Sequence, residues 1–144
     1  MKMLYALVIA ATVVACAAIQ PAPVRVGDRC LRCRRVIGDL RLAGEIIDRM
    51  RAPYPFRTAG CIAKYVKAHP EEQFAAIFVT DHRTGRMLPA GDAWFVPTRL
   101  TPPDGTKGED DYLAFRGRAD AESSRTERQS LLRWAQVVAE ASVN

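Results

Sequence analysis

With 144 residues, 49% of them hydrophobic and 26% charged, the chain has room for one compact domain and the composition of an ordinary globular protein. That excludes a multidomain enzyme, a wholly disordered chain and a multi-span membrane protein. The formal net charge of +5 is modest and scattered among acidic residues, so no nucleic acid is expected as a partner.

At the N-terminus Lys2 precedes an uncharged apolar run that ends in small residues at Val13-Val14-Ala15-Cys16. About 20 apolar residues would be needed to span a bilayer, so residues 1–15 read as a secretory signal peptide. The ending resembles the lipobox of bacterial lipoproteins, which implies cleavage before Cys16 and lipidation of its thiol. The mature protein is then expected to be extracytoplasmic and lipid-anchored, facing the periplasm. By resemblance to the lipoprotein sorting pattern, Ala17 in place of Asp favours the outer membrane. Residues 16–28, with Gln20-Pro-Ala-Pro23, have too little apolar pattern to form a core and are expected to be a flexible tether. The folded domain is expected over 29–144.

The predicted elements are short. Ala43–Met50 and Tyr54–Phe56 read as two strands around a turn, with Pro55 confining the second to a sheet edge. Thr58 is placed to cap a helix over 59–69, whose Ile62, Tyr65 and Val66 share a face before Pro70 stops it. Phe74–Thr80 reads as a buried strand, turned by Asp81-His-Arg-Thr-Gly85. Ala93–Val96 reads as a strand ended by Pro97, and Arg99–Asp110 as a loop rich in Pro, Gly and Thr. Asp111–Phe115 reads as a further strand, Arg118–Glu127 as a polar amphipathic helix, and Leu131–Val138 fits a helix or a strand equally. The fold class is therefore α+β, a small single domain with short antiparallel strands and two to three helices.

In so small a domain the cysteines carry the chemistry. Cys30-Leu-Arg-Cys33 puts two thiols on one turn, within a basic stretch where both are expected to be accessible. Cys61 falls in the first turn of the helix, where the dipole favours its thiolate. Without Cys16, three thiols remain, an odd number in a compartment where thiols oxidise. They fit a disulfide plus one free thiol, or three ligands for a soft metal such as Cu(I) or Zn(II). His69 and His82 stand singly and read as surface or core residues. No Ser-His-Asp set, paired acidic cluster or phosphate loop is present, so hydrolase and nucleotide chemistry are disfavoured and no enzyme is expected.

The order of lipobox, tether, C-x-x-C, strand pair, Phe56-Arg-Thr-Ala-Gly-Cys61-Ile-Ala-Lys-Tyr65, Phe78-Val-Thr-Asp81-His-Arg-Thr-Gly85, Ala90-Gly-Asp-Ala-Trp-Phe-Val96, Thr101-Pro102, Leu113-Ala-Phe115 and Ala119-Asp-Ala121 resembles the NosL family. That family comprises lipoproteins implicated in copper delivery to nitrous-oxide reductase. The resemblance covers nearly all of the mature chain and implies a fold similar to that shared with organomercurial lyase. It also implies Cu(I) as the bound metal, Cys30, Cys33 and Cys61 as ligands, and a client metalloenzyme or assembly factor as partner. The alternatives are a thiol-disulfide redox protein cycling Cys30 and Cys33, or a structural accessory lipoprotein with a Zn(II) site or a permanent disulfide.

The chain departs from the family at two methionines. Arg34-Arg35 follows the C-x-x-C where the family has Gly-Met, and Pro102-Pro103-Asp104 follows Thr101 where it has Pro-Met-Gly. The remaining mature methionines, Met50 and Met87, are expected to fill the core.

Overall fold

The computed structural model describes residues 17–101, 105 and 107–142. The expected signal peptide, the lipidation site Cys16 and the Pro102–Asp104 departure lie outside the described residues. Among the described residues no helix is long and apolar enough to cross a membrane.

Four strands form one antiparallel sheet: β1 (Gly44–Asp48), β2 (Pro53–Phe56), β3 (Phe74–Thr80) and β4 (Met87–Pro89), in the order β2-β1-β3-β4. Pro53 and Pro55 sit on β2, the edge strand, where a missing N–H removes no bond from the interior of the sheet. The turn between β1 and β2 is held by Asp48, whose Oδ1 accepts from the N–H groups of Met50 and Ala52. Strand β4 was not expected, since three residues are too short to show an alternating pattern.

The second sheet pairs β5 (Trp94–Leu100) with β6 (Glu109–Phe115). Both run into the expected loop, and β5 continues through Pro97, which had been expected to end it. Every strand of a two-stranded sheet is an edge, so a residue without an N–H is tolerated there. The Pro97 carbonyl accepts from Gln129 Nε2 at 2.8 Å. A bridge between Asp81 and Ala114 joins the two sheets.

Helix α1 (Ala59–Ala68) forms as its cap dictates. Thr58 is extended, with φ −149°, and its side chain accepts the Cys61 N–H at 3.1 Å. The helix buries Ala59 to Ala63 and ends at His69 before Pro70. Helix α2 (Arg118–Ser124) is shorter than expected, and the ambiguous C-terminal segment resolves into a bridge at Leu132 followed by helix α3 (Trp134–Glu140). Lys67 Nζ, near the end of α1, donates to the carbonyls of Ala139 and Ala141 at 2.6 and 2.7 Å, placing a cation at the negative end of α3. The core consists chiefly of Ile46, Phe56, Ile62, Val79, Leu88, Phe95 and Val137, with Cys30 and Cys61 inside the same cluster.

Residues 18–24, part of the expected tether, lie beside β3 and β4 and line a cavity of about 640 Å³ with Phe78, Thr80 and Arg86. The Ala22 N–H donates to Glu45 Oε1 at 2.6 Å, and Glu45 is only 1% exposed. Backbone bonding to the domain begins at Gly27, whose N–H reaches the Ile37 carbonyl.

Candidate metal centre

Cys30 and Cys33 lie in a hairpin closed by the Arg29–Val36 bridge. Cys30 N–H donates to the Arg35 carbonyl and Arg34 N–H to the Cys30 carbonyl, both at 3.0 Å, leaving residues 31–34 as a tight loop. Arg34 adopts φ +63°, the left-handed region that favours glycine. The hairpin is stitched to the free edge of β2 by Leu31 N–H donating to the Pro55 carbonyl at 2.9 Å. That single bond brings the C-x-x-C loop against the β2–α1 junction.

Cys61 arrives from the other side, oriented by the Thr58 cap and by a second constraint at the same helix end. Gly60 N–H donates to Asp111 Oδ1 at 2.8 Å, tying the first turn of α1 to β6. The result is a triad. The three Sγ atoms of Cys30, Cys33 and Cys61 all lie within 4.8 Å of one another, and Cys61 Sγ is 3.8 Å from Cys33 Sγ. None is joined in a disulfide.

The three thiols differ in environment. Cys30 is fully buried, which corrects the expectation that both members of the C-x-x-C are accessible; only Cys33 is partly exposed. Cys33 and Cys61 open onto a groove of about 450 Å³ whose lining includes Arg32, Lys64, Tyr112 and Glu140. The Cys30 thiol is pushed down to about 5 because it accepts a hydrogen bond from Cys61, against the opposing effect of burial, with support from the backbone N–H groups of Cys33 and Arg57. Cys61, as the donor in that bond and itself buried, is pushed up. The helix dipole was expected to ionise Cys61. Instead the thiolate is favoured at Cys30 over Cys61, since a direct hydrogen bond outweighs a partial charge one turn away.

Around the triad sit residues whose roles the sequence did not single out. Arg57, immediately before the cap, has a side chain 16% exposed and pairs with Glu109 at 3.0 Å. Glu109 takes Arg35 at 3.1 Å on its other oxygen. Asp111 is buried, and burial raises its pKa even though Thr58, Tyr112 and Gly60 donate to it. Its place at the exposed end of a polar strand gave no sign of this.

The histidines stay apart from the triad. His69 stacks on Tyr65 with ring centroids 4.1 Å apart, and His82 packs edge-on to Phe115. Met50 is 89% exposed at the β1–β2 turn, which corrects its expected place in the core, and Met87 lies on β4 beside residues 18–24. Chemically the triad suits a soft ion. Three sulfurs satisfy Cu(I), whereas a closed structural Zn(II) site wants four donors, and among the described residues the group contains three.

No family model matches the chain, and no curated protein matches it by sequence. In three dimensions it is similar to the crystal structure of the copper chaperone NosL from Shewanella denitrificans, with a TM-score of 0.65 and 19% sequence identity over 81% of this chain and 94% of that one. At this identity it is a likeness of fold: the chain adopts a NosL-like α+β fold.

Proposed function

We propose that this protein is a lipid-anchored, extracytoplasmic copper-binding accessory protein that carries Cu(I) on Cys30, Cys33 and Cys61 and passes it to a client metalloenzyme, nitrous-oxide reductase being the client that the NosL likeness suggests. The observation that carries the reading is the triad of free thiols within 4.8 Å of one another, drawn from two segments of the chain that the fold brings together. Copper is the cargo here. The thiolates bind it as soft donors, and a partner sulfur exchanges for them one at a time.

The burial pattern supports an order of exchange. Cys33 faces the groove, so an incoming ligand displaces it first, while Cys30 and Cys61 hold the ion from below. Without the neutral thioethers of the family, every donor is a thiolate, and the site releases its ion more slowly. Protons compete with the metal for the thiolates, so affinity falls as pH falls.

Anaerobic native mass spectrometry with metal analysis and thiol counting tests this, followed by Cu(I) titration against a competing chelator. One Cu(I) per monomer is expected, with each single Cys→Ser variant at positions 30, 33 and 61 binding far more weakly than Met50 or Met87 variants. A wild-type protein that does not compete for Cu(I) overturns the reading. Unchanged binding by Cys61→Ser removes the helix cysteine from the site.

A further inference from the structure

We infer that Arg57 sets the metal preference of the triad, favouring a monovalent over a divalent ion through its fixed positive charge. The inference deepens the copper reading and rests on it. Arg57 is anchored by its position rather than by chance contact: it directly precedes the Thr58 cap that orients Cys61, and its guanidinium pairs at 3.0 Å with Glu109, which lines the groove shared by Cys33 and Cys61, so both thiols feel its charge. Its Nε is buried and has no hydrogen-bond partner, so its N–H dipole is not spent on another protein group. Glu109, its carboxylate partner, is shared with Arg35. Two cations on one anion leave one positive charge over, and the thiols are the anions it faces.

The selectivity follows from charge alone. With the same three thiolates, the Cu(I) complex carries one more negative charge than the Zn(II) complex. A fixed cation beside the site therefore stabilises the Cu(I) complex by one additional unit of charge interaction, whatever the protonation of the metal-free thiols. Because Arg57 is mostly buried, salt screens that interaction little, and one unit at a few ångströms amounts to a preference on the order of tenfold or more. The groove also carries Arg32, Lys64, Glu109, Asp110 and Glu140, half-buried or exposed charges of both signs that largely offset one another. Asp111 opposes Arg57, but its charge is already met by the Gly60 and Tyr112 N–H groups.

The test compares Cu(I) and Zn(II) affinities, each by titration against a competing chelator, in the reduced full chain held in detergent micelles. Arg57→Gln is expected to weaken Cu(I) binding on the order of tenfold relative to Zn(II). Arg57→Lys should restore most of that preference, since it keeps the charge. Glu109→Gln frees the guanidinium and removes an anion from the groove that Cys33 and Cys61 line, so it should shift the preference further toward Cu(I), and less so when Arg57→Gln is also present; an unchanged preference overturns the inference even if the Arg57 variants fold poorly. Equal weakening of both metals by Arg57→Gln, without rescue by Lys, makes Arg57 structural and overturns the inference while leaving the copper reading intact. A wild-type chain that takes up no Cu(I) overturns both.

Discussion

The Gly60 N–H donates to Asp111 Oδ1 at 2.8 Å, and a Cβ at Gly60 would lie 2.7 Å from that same oxygen. The carboxylate occupies the space that any other side chain would need, one residue before Cys61. The start of α1 and the position of the third thiol are thus set by a contact that only glycine permits.

Gly60→Ala is accordingly expected to cost about 1–3 kcal/mol of stability through overpacking and the strained buried hydrogen bond. It should also weaken metal binding by displacing Cys61. Urea unfolding and Cu(I) competition measure the two effects. Gly91→Ala, where an added Cβ meets nothing within 4 Å, is the control and should change neither. Equal behaviour of the two variants would remove the contact from the account of the site.

Alkylation should distinguish the three thiols. Cys33 is partly exposed while Cys30 and Cys61 are buried, so in reduced, metal-free protein Cys33 is expected to react first. Cys30 has the lowest pKa of the pair it forms with Cys61, yet a thiolate without access does not react until the structure opens. Time-resolved mass spectrometry of peptides containing residues 30, 33 and 61 checks the order. Fast labelling of Cys30 in folded protein would contradict the buried triad.

Much of this site was legible in the sequence. The C-x-x-C, the Thr58 cap and the helical phase of Cys61 are local features, and local rules placed them. What stayed hidden was set by tertiary contact: the Leu31–Pro55 bond that docks the hairpin on β2, the burial of Cys30, and the Arg57–Glu109–Arg35 arrangement, which joins residues far apart in the chain. The same holds for the fold. Strands β1 and β3 and helix α1 followed their periodicity, whereas β4 was too short to announce itself and β5 ran past Pro97 because, beyond the Phe95–Leu132 bridge, no strand pairs with its side away from β6.

Arg34 carries backbone strain within the C-x-x-C loop. A left-handed conformation costs a non-glycine residue about 1–2 kcal/mol, part of which glycine loses again through its freer unfolded state. Arg34→Gly, which supplies the residue that conformation favours, should therefore raise stability by about 0.5–1 kcal/mol without shifting the cysteines. Thermal unfolding and Cu(I) affinity, measured together, check this. A lower melting temperature would mean that the Arg34 side chain contributes more than its backbone costs.

Glu45 should make stability depend on pH in a direction opposite to that of a salt-bridged carboxylate. It is 1% exposed, and burial raises its pKa from the ordinary value of 4.5 although the Ala22 N–H donates to it. As pH rises through about 4.5, the unfolded chain releases this proton while the folded chain still holds it, so the folded state binds more protons and stability falls until the folded pKa is passed. The contribution is fully present below the unfolded value and lost above the folded one. Glu45→Gln removes the charge and keeps a carbonyl oxygen for Ala22, so the variant should gain on wild type across that window and keep its advantage at neutral pH. Urea unfolding of both proteins between pH 4 and 8 reads the difference directly. Parallel curves would show that Glu45 is ionised at no cost in the fold. In that case burial would not be raising the Glu45 pKa in the fold, and the Ala22 N–H would be donating to a carboxylate across the whole range.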